Sequence, residues 1–145
     1  MKKRILIVED ERSVWESMRD MPDIDSYELE WVQTGHEAVR RSLDRPLDAL
    51  VLDLDVVDTS GWQVLDCLCG LHPWLPIIAL ISNIDDGEVA SAIGASAWLV
   101  KPVDRRLIKA VQRLLAEPNE KRLWRAADSY HRALSLPQLE LAFPG

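Results

Sequence analysis

Long hydrophobic runs are missing from this sequence of 145 residues. The apolar run behind the basic first residues covers Ile5–Val8, and Glu9 and Asp10 end it after four residues. A signal peptide needs an apolar region of about 7–15 residues, and a membrane-spanning helix needs about 20. We therefore expect a cytoplasmic protein that does not associate with a membrane.

Cysteine is scarce as well, since Cys67 and Cys69 are the two in the chain. Two positions apart on one predicted helix, they are poorly placed to bond to each other. Their spacing also lacks the two intervening residues that are usual in metal and redox sites. We expect both side chains to be small core residues.

An excess of basic residues and a glycine-rich loop are also absent. The formal net charge is −7 at pH 7, which argues against non-specific binding to nucleic acid because phosphate contacts need clustered Lys and Arg. Glu-Asp-Glu-Arg follows the first apolar run, so neither the dinucleotide fingerprint nor the P-loop is present there. The sequence therefore predicts neither a nucleotide held by backbone amides nor direct binding to nucleic acid.

The sequence does contain a series of short apolar runs with helical patterns between them. The length and polar borders of these runs are typical of strands. The runs are Ile5–Val8, Leu29–Val32, Ala49–Leu52, Ile77–Ile81 and Trp98–Val100. Strand then helix, repeated five times, predicts an α/β fold with a parallel sheet covered by helices on both faces. The second run alternates polar and apolar residues, which places it at an edge of the sheet.

Polar side chains follow four of these strands, at the end of the sheet where such folds bind ligands. They are Glu9, Asp10, Asp53, Asp55, Ser82 and Lys101. Clustered carboxylates repel one another unless a cation joins them, and hard oxygen ligands with room for water suit Mg²⁺. The pattern therefore predicts a Mg²⁺ site. Taken singly, each residue also has an ordinary structural interpretation, such as a helix cap for Ser82.

Asp53 directly follows an apolar run, where an ionised carboxylate is costly unless something compensates it. A cation and the ammonium group of Lys101 would supply that compensation. A phosphoryl group bridged by Mg²⁺ and Lys101 fits such a site. Asp53 is then positioned as a carboxylate nucleophile that forms an acyl phosphate.

Taken together, these motifs resemble the receiver domain of bacterial response regulators, over about Lys3 to Leu115. ILIVEDE matches the first strand and acidic pair of that family, DALVLDLDVVDTSGW its phosphoacceptor strand and following glycine, and GASAWLVKP its last strand with a Lys-Pro pair. The resemblance implies a flavodoxin-like, five-stranded sheet in the order 2-1-3-4-5. It also implies a phosphoacceptor in two-component signalling that phosphorylates itself and dephosphorylates slowly, rather than a conventional enzyme.

The resemblance also implies a role for each site residue. Asp53 would be the phosphoacceptor and Asp10 a direct Mg²⁺ ligand, with Glu9 acting through water. The backbone carbonyl of Asp55 would be a further metal ligand. Lys101 would contact the phosphoryl group.

Two more residues take their roles from the family. Ser82 would supply the switch hydroxyl, and Trp98 stands where the family usually has a Tyr or Phe that changes rotamer on activation. The ordinary structural role of a tryptophan at this position is packing. The Lys101–Pro102 peptide bond is one that can be cis in this family.

The sequence departs from the family pattern in several places. Only 18 residues separate Ser82 from Lys101, which is nearly one helical turn fewer than is usual. Ser82 also stands one position late, so that Ile81 could take its place. Asp55 adds an uncommon negative side chain near the acceptor, and we hypothesise that it alters the lifetime of the phosphoryl group.

Two other functions remain open at this stage. LVLDLDVV also fits the opening motif of haloacid-dehalogenase-type phosphatases, with Asp53 as nucleophile and Asp55 as general acid and base. That family needs metal-binding acids after its lysine, however, and here the acidic pair precedes the nucleophile. The second alternative is a degenerate receiver that acts as an interaction module without phosphorylation.

Residues 1–118 are predicted to form the receiver domain and 119–145 a C-terminal helical extension or linker. Asn119 is a plausible N-cap for a sixth helix, because apolar residues follow it at spacings of four and three. These residues are Leu123, Ala127, Tyr130 and Leu134. The helix either packs on the domain or binds a partner, which includes a second copy in a homodimer.

The resemblance implies two kinds of partner protein. A sensor histidine kinase or a phosphotransfer protein would donate the phosphoryl group, and an unidentified protein would read the phosphorylated state.

Overall fold

The five predicted strands form one parallel sheet in the order β2-β1-β3-β4-β5, as expected. The strands are β1 Lys3–Val8, β2 Tyr27–Val32, β3 Ala49–Asp53, β4 Ile77–Ile81 and β5 Ala97–Val100. The structure is a computed structural model, and it describes residues 1–56, 60–118, 120–121, 124 and 127–128. Every residue of β3 and β4 is buried, whereas β2 lies at an edge and is mostly half-buried.

Helices connect the strands and cover both faces of the sheet. They are α1 Arg12–Arg19, α2 Gly35–Asp44, α3 Gly61–Leu71, α4 Gly87–Ile93 and α5 Arg106–Ala116. Single 3₁₀ turns cover Ile24–Ser26 and Ile84–Asp86. At seven residues, α4 is the shortest of these five helices, in agreement with the short spacing between β4 and β5 in the sequence.

Each face of the sheet has its own hydrophobic core, because successive strand residues point to opposite sides. Leu50 and Leu52 of β3 belong to the core that includes residues of α2, α3 and α4. Ala49 and Val51 belong to the core that includes residues of α1 and α5. Burial of each large aliphatic side chain contributes about 1.5–3 kcal/mol, so these two cores hold the sheet in place.

The strand register aligns the carboxyl ends of four strands. Val8 pairs with Leu52, Asp53 with Leu80, and Ile81 with Val100. The residues that follow β1, β3, β4 and β5 therefore meet at one end of the sheet.

The prediction that both cysteines are core residues is wrong for Cys67. Leu65 and Leu68 form part of the buried face of α3, and Cys67 is exposed beside it. Two residues past Leu65 correspond to about 200° of helix rotation, which turns the Cys67 side chain away from the core. Cys69 is half-buried, and burial raises the pKa of its thiol to about 12.

Most of the predicted sixth helix lies outside the described residues. This applies to Asn119, Leu123, Tyr130 and Leu134. The described residues 120, 121, 124, 127 and 128 are helical. In the described part of the chain, no helix is both long and apolar enough to cross a membrane.

Candidate functional site

Asp53 is the last residue of β3, and its side chain is almost completely buried, with 2% of the residue exposed. Its Oδ1 atom lies 2.6 Å from Nζ of Lys101. The same oxygen accepts a hydrogen bond of 2.8 Å from the backbone N–H of Asp55. An ammonium group and a peptide dipole thus compensate the carboxylate that the sequence places after an apolar run.

Glu9, Asp10 and Asp53 form an acidic cluster, in which one carboxylate oxygen of each lies within 4.8 Å of the others. Glu9 is 1% exposed. Burial and, next, a hydrogen bond with Asp53 raise the pKa of Glu9 to about 9. Without a cation, Glu9 is therefore protonated at neutral pH.

An unpaired carboxylate oxygen of Glu9 indicates that the acidic cluster is suited to a divalent cation. Among the described residues, Oε2 of Glu9 has no hydrogen-bond partner although it is buried. A buried carboxylate oxygen without a partner is costly, and a hard cation is a fitting ligand for it. The three carboxylates of the cluster are donors of the type that Mg²⁺ prefers.

A pair of tryptophans holds the Glu9 backbone. Nε1 of Trp31 donates a 2.7 Å hydrogen bond to the carbonyl oxygen of Glu9. The Trp31 ring stacks on Trp15 of α1, with 5.3 Å between centroids and 10° between planes. This support could not be predicted from the sequence, because the two bonded residues are 22 positions apart and no local pattern indicates the bond.

The side chain of Asp55 joins the residues that follow three strands. Its Oδ2 atom accepts a 2.8 Å hydrogen bond from Nζ of Lys101 and a second hydrogen bond from the hydroxyl of Ser82. Lys101 and, next, Ser82 lower the pKa of Asp55, so the carboxylate is ionised at neutral pH. We call Asp55, Ser82 and Lys101 the Asp55 clasp.

Lys101 is held at the end of β5. Its backbone N–H donates to the carbonyl oxygen of Ile81 at 2.9 Å, and the Lys101–Pro102 peptide bond is cis. Burial disfavours the charge on Lys101, but hydrogen bonds to Asp53 and Asp55 outweigh burial and raise the pKa of the ammonium group. The lysine is therefore a permanent cation in the site.

Ser82, rather than Ile81, presents its side chain to the site. Ile81 is the last residue of β4 and is buried in the core under α2, α3 and α4. Ser82 follows it, is exposed, and donates its hydroxyl to Asp55. The position that looked one residue late in the sequence thus faces the other site residues.

Trp98 packs against α4 instead of standing free. A Cβ atom added to Gly87 would lie 2.4 Å from the Trp98 ring, which is closer than any real contact. The indole thus fills the space that the missing side chain leaves. Sequence analysis gave no role to Gly87, because its importance depends on a ring 11 positions away in sequence.

The chain matches the family model of the response regulator receiver domain over residues 5–113. The chain belongs to the response regulator receiver domain family. The response regulator MprA of Mycobacterium tuberculosis is 37% identical over 105 residues, which are 70% of this chain and 45% of MprA. The matches to KdpE and PrrA of the same organism cover 44% and 60% of those proteins. The chain thus spans about half the length of the curated relatives it matches.

Solved receiver domains share the fold. The receiver domain protein of Methanospirillum hungatei JF-1 is 27% identical, with a TM-score of 0.74, and the match covers 83% of this chain and 98% of that one. The receiver domain of the sensor histidine kinase PA1611 from Pseudomonas aeruginosa PAO1 is 25% identical, with a TM-score of 0.72, over 81% of this chain and 100% of that one. That structure has a magnesium ion coordinated in its active site cleft.

The family match favours the receiver over the haloacid-dehalogenase alternative. In this receiver domain the acids that join Asp53 come from Glu9 and Asp10, directly after β1. They precede β3 and Asp53 in the chain, as the receiver pattern requires and the phosphatase pattern does not. As a receiver domain, the chain takes part in two-component signalling as a phosphoacceptor.

Proposed function

We propose that Asp53 is the residue of this receiver domain that accepts the phosphoryl group. The observation that carries this proposal is the environment of its carboxylate. Asp53 is buried at a strand end, lies within 4.8 Å of two further carboxylates, and is 2.6 Å from an ammonium group. A carboxylate nucleophile for phosphorus needs cations on the side where the phosphoryl charge arrives; Lys101 would supply one, and an ion held by the acidic cluster would supply another.

Glu9, Asp10 and Asp53 would hold Mg²⁺, together with the backbone carbonyl of Asp55. The unpaired Oε2 atom of Glu9 supports this assignment. When bound, Mg²⁺ supplies positive charge that stabilises the transferring phosphoryl group.

Phosphoryl transfer then uses the residues of the chain in fixed roles. A carboxylate oxygen of Asp53 attacks phosphorus and forms an O–P bond, while the N–P bond of a phosphohistidine donor breaks and the imidazole nitrogen keeps the electron pair. Lys101 and Ser82 donate hydrogen bonds to the phosphoryl oxygens. Hydrolysis of the resulting acyl phosphate is the slow step that returns Asp53 to its free form.

We also propose the partners and the domain boundaries. A sensor histidine kinase or phosphotransfer protein is the proposed donor, and a downstream protein is the proposed reader. Residues 1–118 are the proposed receiver unit, and residues 119–145 a proposed helical extension or linker that packs on the domain or binds a partner, which includes a second copy in a homodimer. A cytoplasmic location stays a prediction.

Intact mass spectrometry after incubation with acetyl phosphate and Mg²⁺ tests the phosphoacceptor. We expect one phosphoryl adduct in the parent protein, none in Asp53→Asn, and none without Mg²⁺. Asp44→Asn, an exposed carboxylate on α2, is the matched control and should be phosphorylated normally. No adduct in the parent would indicate a degenerate receiver, and continuous release of phosphate with turnover would indicate a phosphatase.

A further inference from the structure

The Asp55 clasp already uses the donors that a phosphoryl group would need. Lys101 directs its ammonium group to Asp53 at 2.6 Å and to Asp55 at 2.8 Å. The hydroxyl of Ser82 donates to Asp55. Asp55 therefore receives hydrogen bonds from the cation and from the hydroxyl at the same oxygen.

Asp55 and a phosphoryl group would compete for the hydrogen-bond donors of Ser82 and Lys101, because those donors are few. A serine hydroxyl has a single hydrogen, and an ammonium group has three. While Ser82 donates to Asp55, it has no hydrogen left for a phosphoryl oxygen. Lys101 must likewise share its donors between two carboxylates before any phosphoryl group arrives.

A carboxylate and a phosphoryl group are also chemically alike as acceptors. Both present anionic oxygens that form short hydrogen bonds with ammonium and hydroxyl donors. The Asp55 side chain is 55% exposed, so it can swing into solvent without a cavity being left behind. A phosphoryl group on Asp53 would place about 1.5–2 negative charges beside Asp55 in place of the single charge of the Asp53 carboxylate, so the two anions would repel each other more strongly.

We propose that the Asp55 carboxylate mimics the phosphoryl group. The carboxylate binds Ser82 and Lys101 in the unphosphorylated domain and is displaced from them on phosphorylation. This inference rests on the proposed function of Asp53. It also has a consequence for the resting protein: the residues that follow β3, β4 and β5 are tied together before any signal arrives. Asp55 is thus a positioning residue that sets the starting state of the site.

Affinity for beryllofluoride, a non-covalent analogue of the phosphoryl group, tests the competition in the presence of Mg²⁺. Asp55→Asn and Asp55→Ala should each bind it about tenfold more tightly than the parent, because a competing charge-assisted hydrogen bond is worth that factor. Glu88→Gln, which removes one exposed negative charge from α4, should bind like the parent. Equal or weaker binding by both Asp55 variants would overturn the proposal.

A double-mutant cycle separates competition from a general charge effect. Ser82→Ala should weaken beryllofluoride binding more in the Asp55→Ala background than in the parent, because Ser82 is free to bind the analogue only when Asp55 is gone. Equal effects in the two backgrounds would show that Asp55 does not occupy Ser82.

Hydrogen exchange tests the resting clasp without any phosphoryl chemistry. In the unmodified protein, Asp55→Ala should speed the exchange of backbone amides at residues 82–84 and 101, whereas Glu88→Gln should not. Unchanged exchange would refute the clasp even if Asp53 is phosphorylated. Faster exchange together with no phosphoryl adduct on the parent would keep the clasp and reject the role of Asp53.

Discussion

Nζ of Lys101 lies 2.6 Å from Oδ1 of Asp53, so the buried carboxylate at the end of β3 is paired with a lysine that also contacts Asp55. Removing this contact should lower the rate of phosphorylation but raise the affinity for Mg²⁺. Lys101→Met should slow phosphorylation by acetyl phosphate by about 100-fold, the usual loss when one donor to a developing charge is removed. It should also tighten Mg²⁺ binding, because a competing cation has left the site.

Quench-flow or intact-mass kinetics give the rate, and calorimetry gives the Mg²⁺ affinity. Lys109→Met, at an exposed position of α5, is the matched control and should change neither. If Lys101→Met slowed phosphorylation and weakened Mg²⁺ binding by the same factor, the lysine would be maintaining the structure of the site rather than acting on the phosphoryl group.

Binding of Mg²⁺ should release a proton. Glu9 has a pKa of about 9 in the metal-free protein, so it is protonated at neutral pH, and a cation binds to its ionised form. The affinity for Mg²⁺ should therefore rise with pH up to about pH 9. Calorimetry at pH 7.5 in two buffers with different ionisation enthalpies measures the released proton, and Glu9→Gln should abolish it. Identical heats in the two buffers would contradict the prediction.

The stability of the metal-free protein should fall as pH rises. The pKa of Glu9 is about 9 in the folded state, whereas an ordinary glutamate has a pKa of 4.5, so the folded state binds more protons between these limits. The free energy of unfolding then decreases with pH across that window. Urea unfolding in EDTA at a series of pH values measures the slope, and Glu9→Gln, which carries no titrating carboxyl, should flatten it. A rising slope in the parent would count against the raised pKa.

Gly87→Ala should destabilise the domain by about 1–3 kcal/mol, the usual cost of overpacking. The added methyl group would lie 2.4 Å from the Trp98 ring. Thermal unfolding measures the loss, and NMR of the indole N–H reports the displacement of the ring. In the Trp98→Ala background, Gly87→Ala should cost much less, because the ring that the methyl group meets is gone.

Gly70→Ala is the control for the change in helix propensity. Among the described residues, nothing lies within 4 Å of a Cβ at Gly70 in α3, so this substitution should be neutral or stabilising by up to about 1 kcal/mol. Equal effects at Gly70 and Gly87 would show that contact with Trp98 is not the cause.

The lifetime of the phosphoryl group should be longer in Asp55→Asn than in the parent. The carboxylate of Asp55 repels the added charge and shares Lys101 and Ser82 with it, and a neutral amide does so less. We expect a lifetime increase of about tenfold or less, the scale of a single hydrogen bond. Loss of the mass adduct with time after removal of acetyl phosphate measures it. An unchanged rate would mean that Asp55 does not act on the bound group.

The sheet and the set of site residues could be predicted because they depend on local sequence. Buried strands are apolar runs, and parallel order brings the residues behind Val8, Leu52, Ile81 and Val100 together whatever the details of packing. The contacts between side chains could not be predicted in the same way. Whether Asp55 turns to Ser82 depends on rotamers and distances that no spacing encodes.

Two other features were missed for different physical reasons. Cys67 is apolar, yet its position around α3 turns it outward, which depends on the rotation of the helix relative to Leu65 and Leu68. Gly87 took no role from the sequence, yet it leaves the volume that the Trp98 ring fills. That role depends on a three-dimensional neighbour 11 positions away in the sequence.

The stacked indoles of Trp15 and Trp31 give the domain an optical probe of its own. Trp31 is hydrogen-bonded to the carbonyl of Glu9, so its excited state lies next to the acidic cluster and is sensitive to charge there. A change in tryptophan emission would thus accompany the arrival of a cation at Glu9 and Asp10. In a chain whose other indoles are replaced by phenylalanine, occupancy of the site could be followed by fluorescence, without any attached dye.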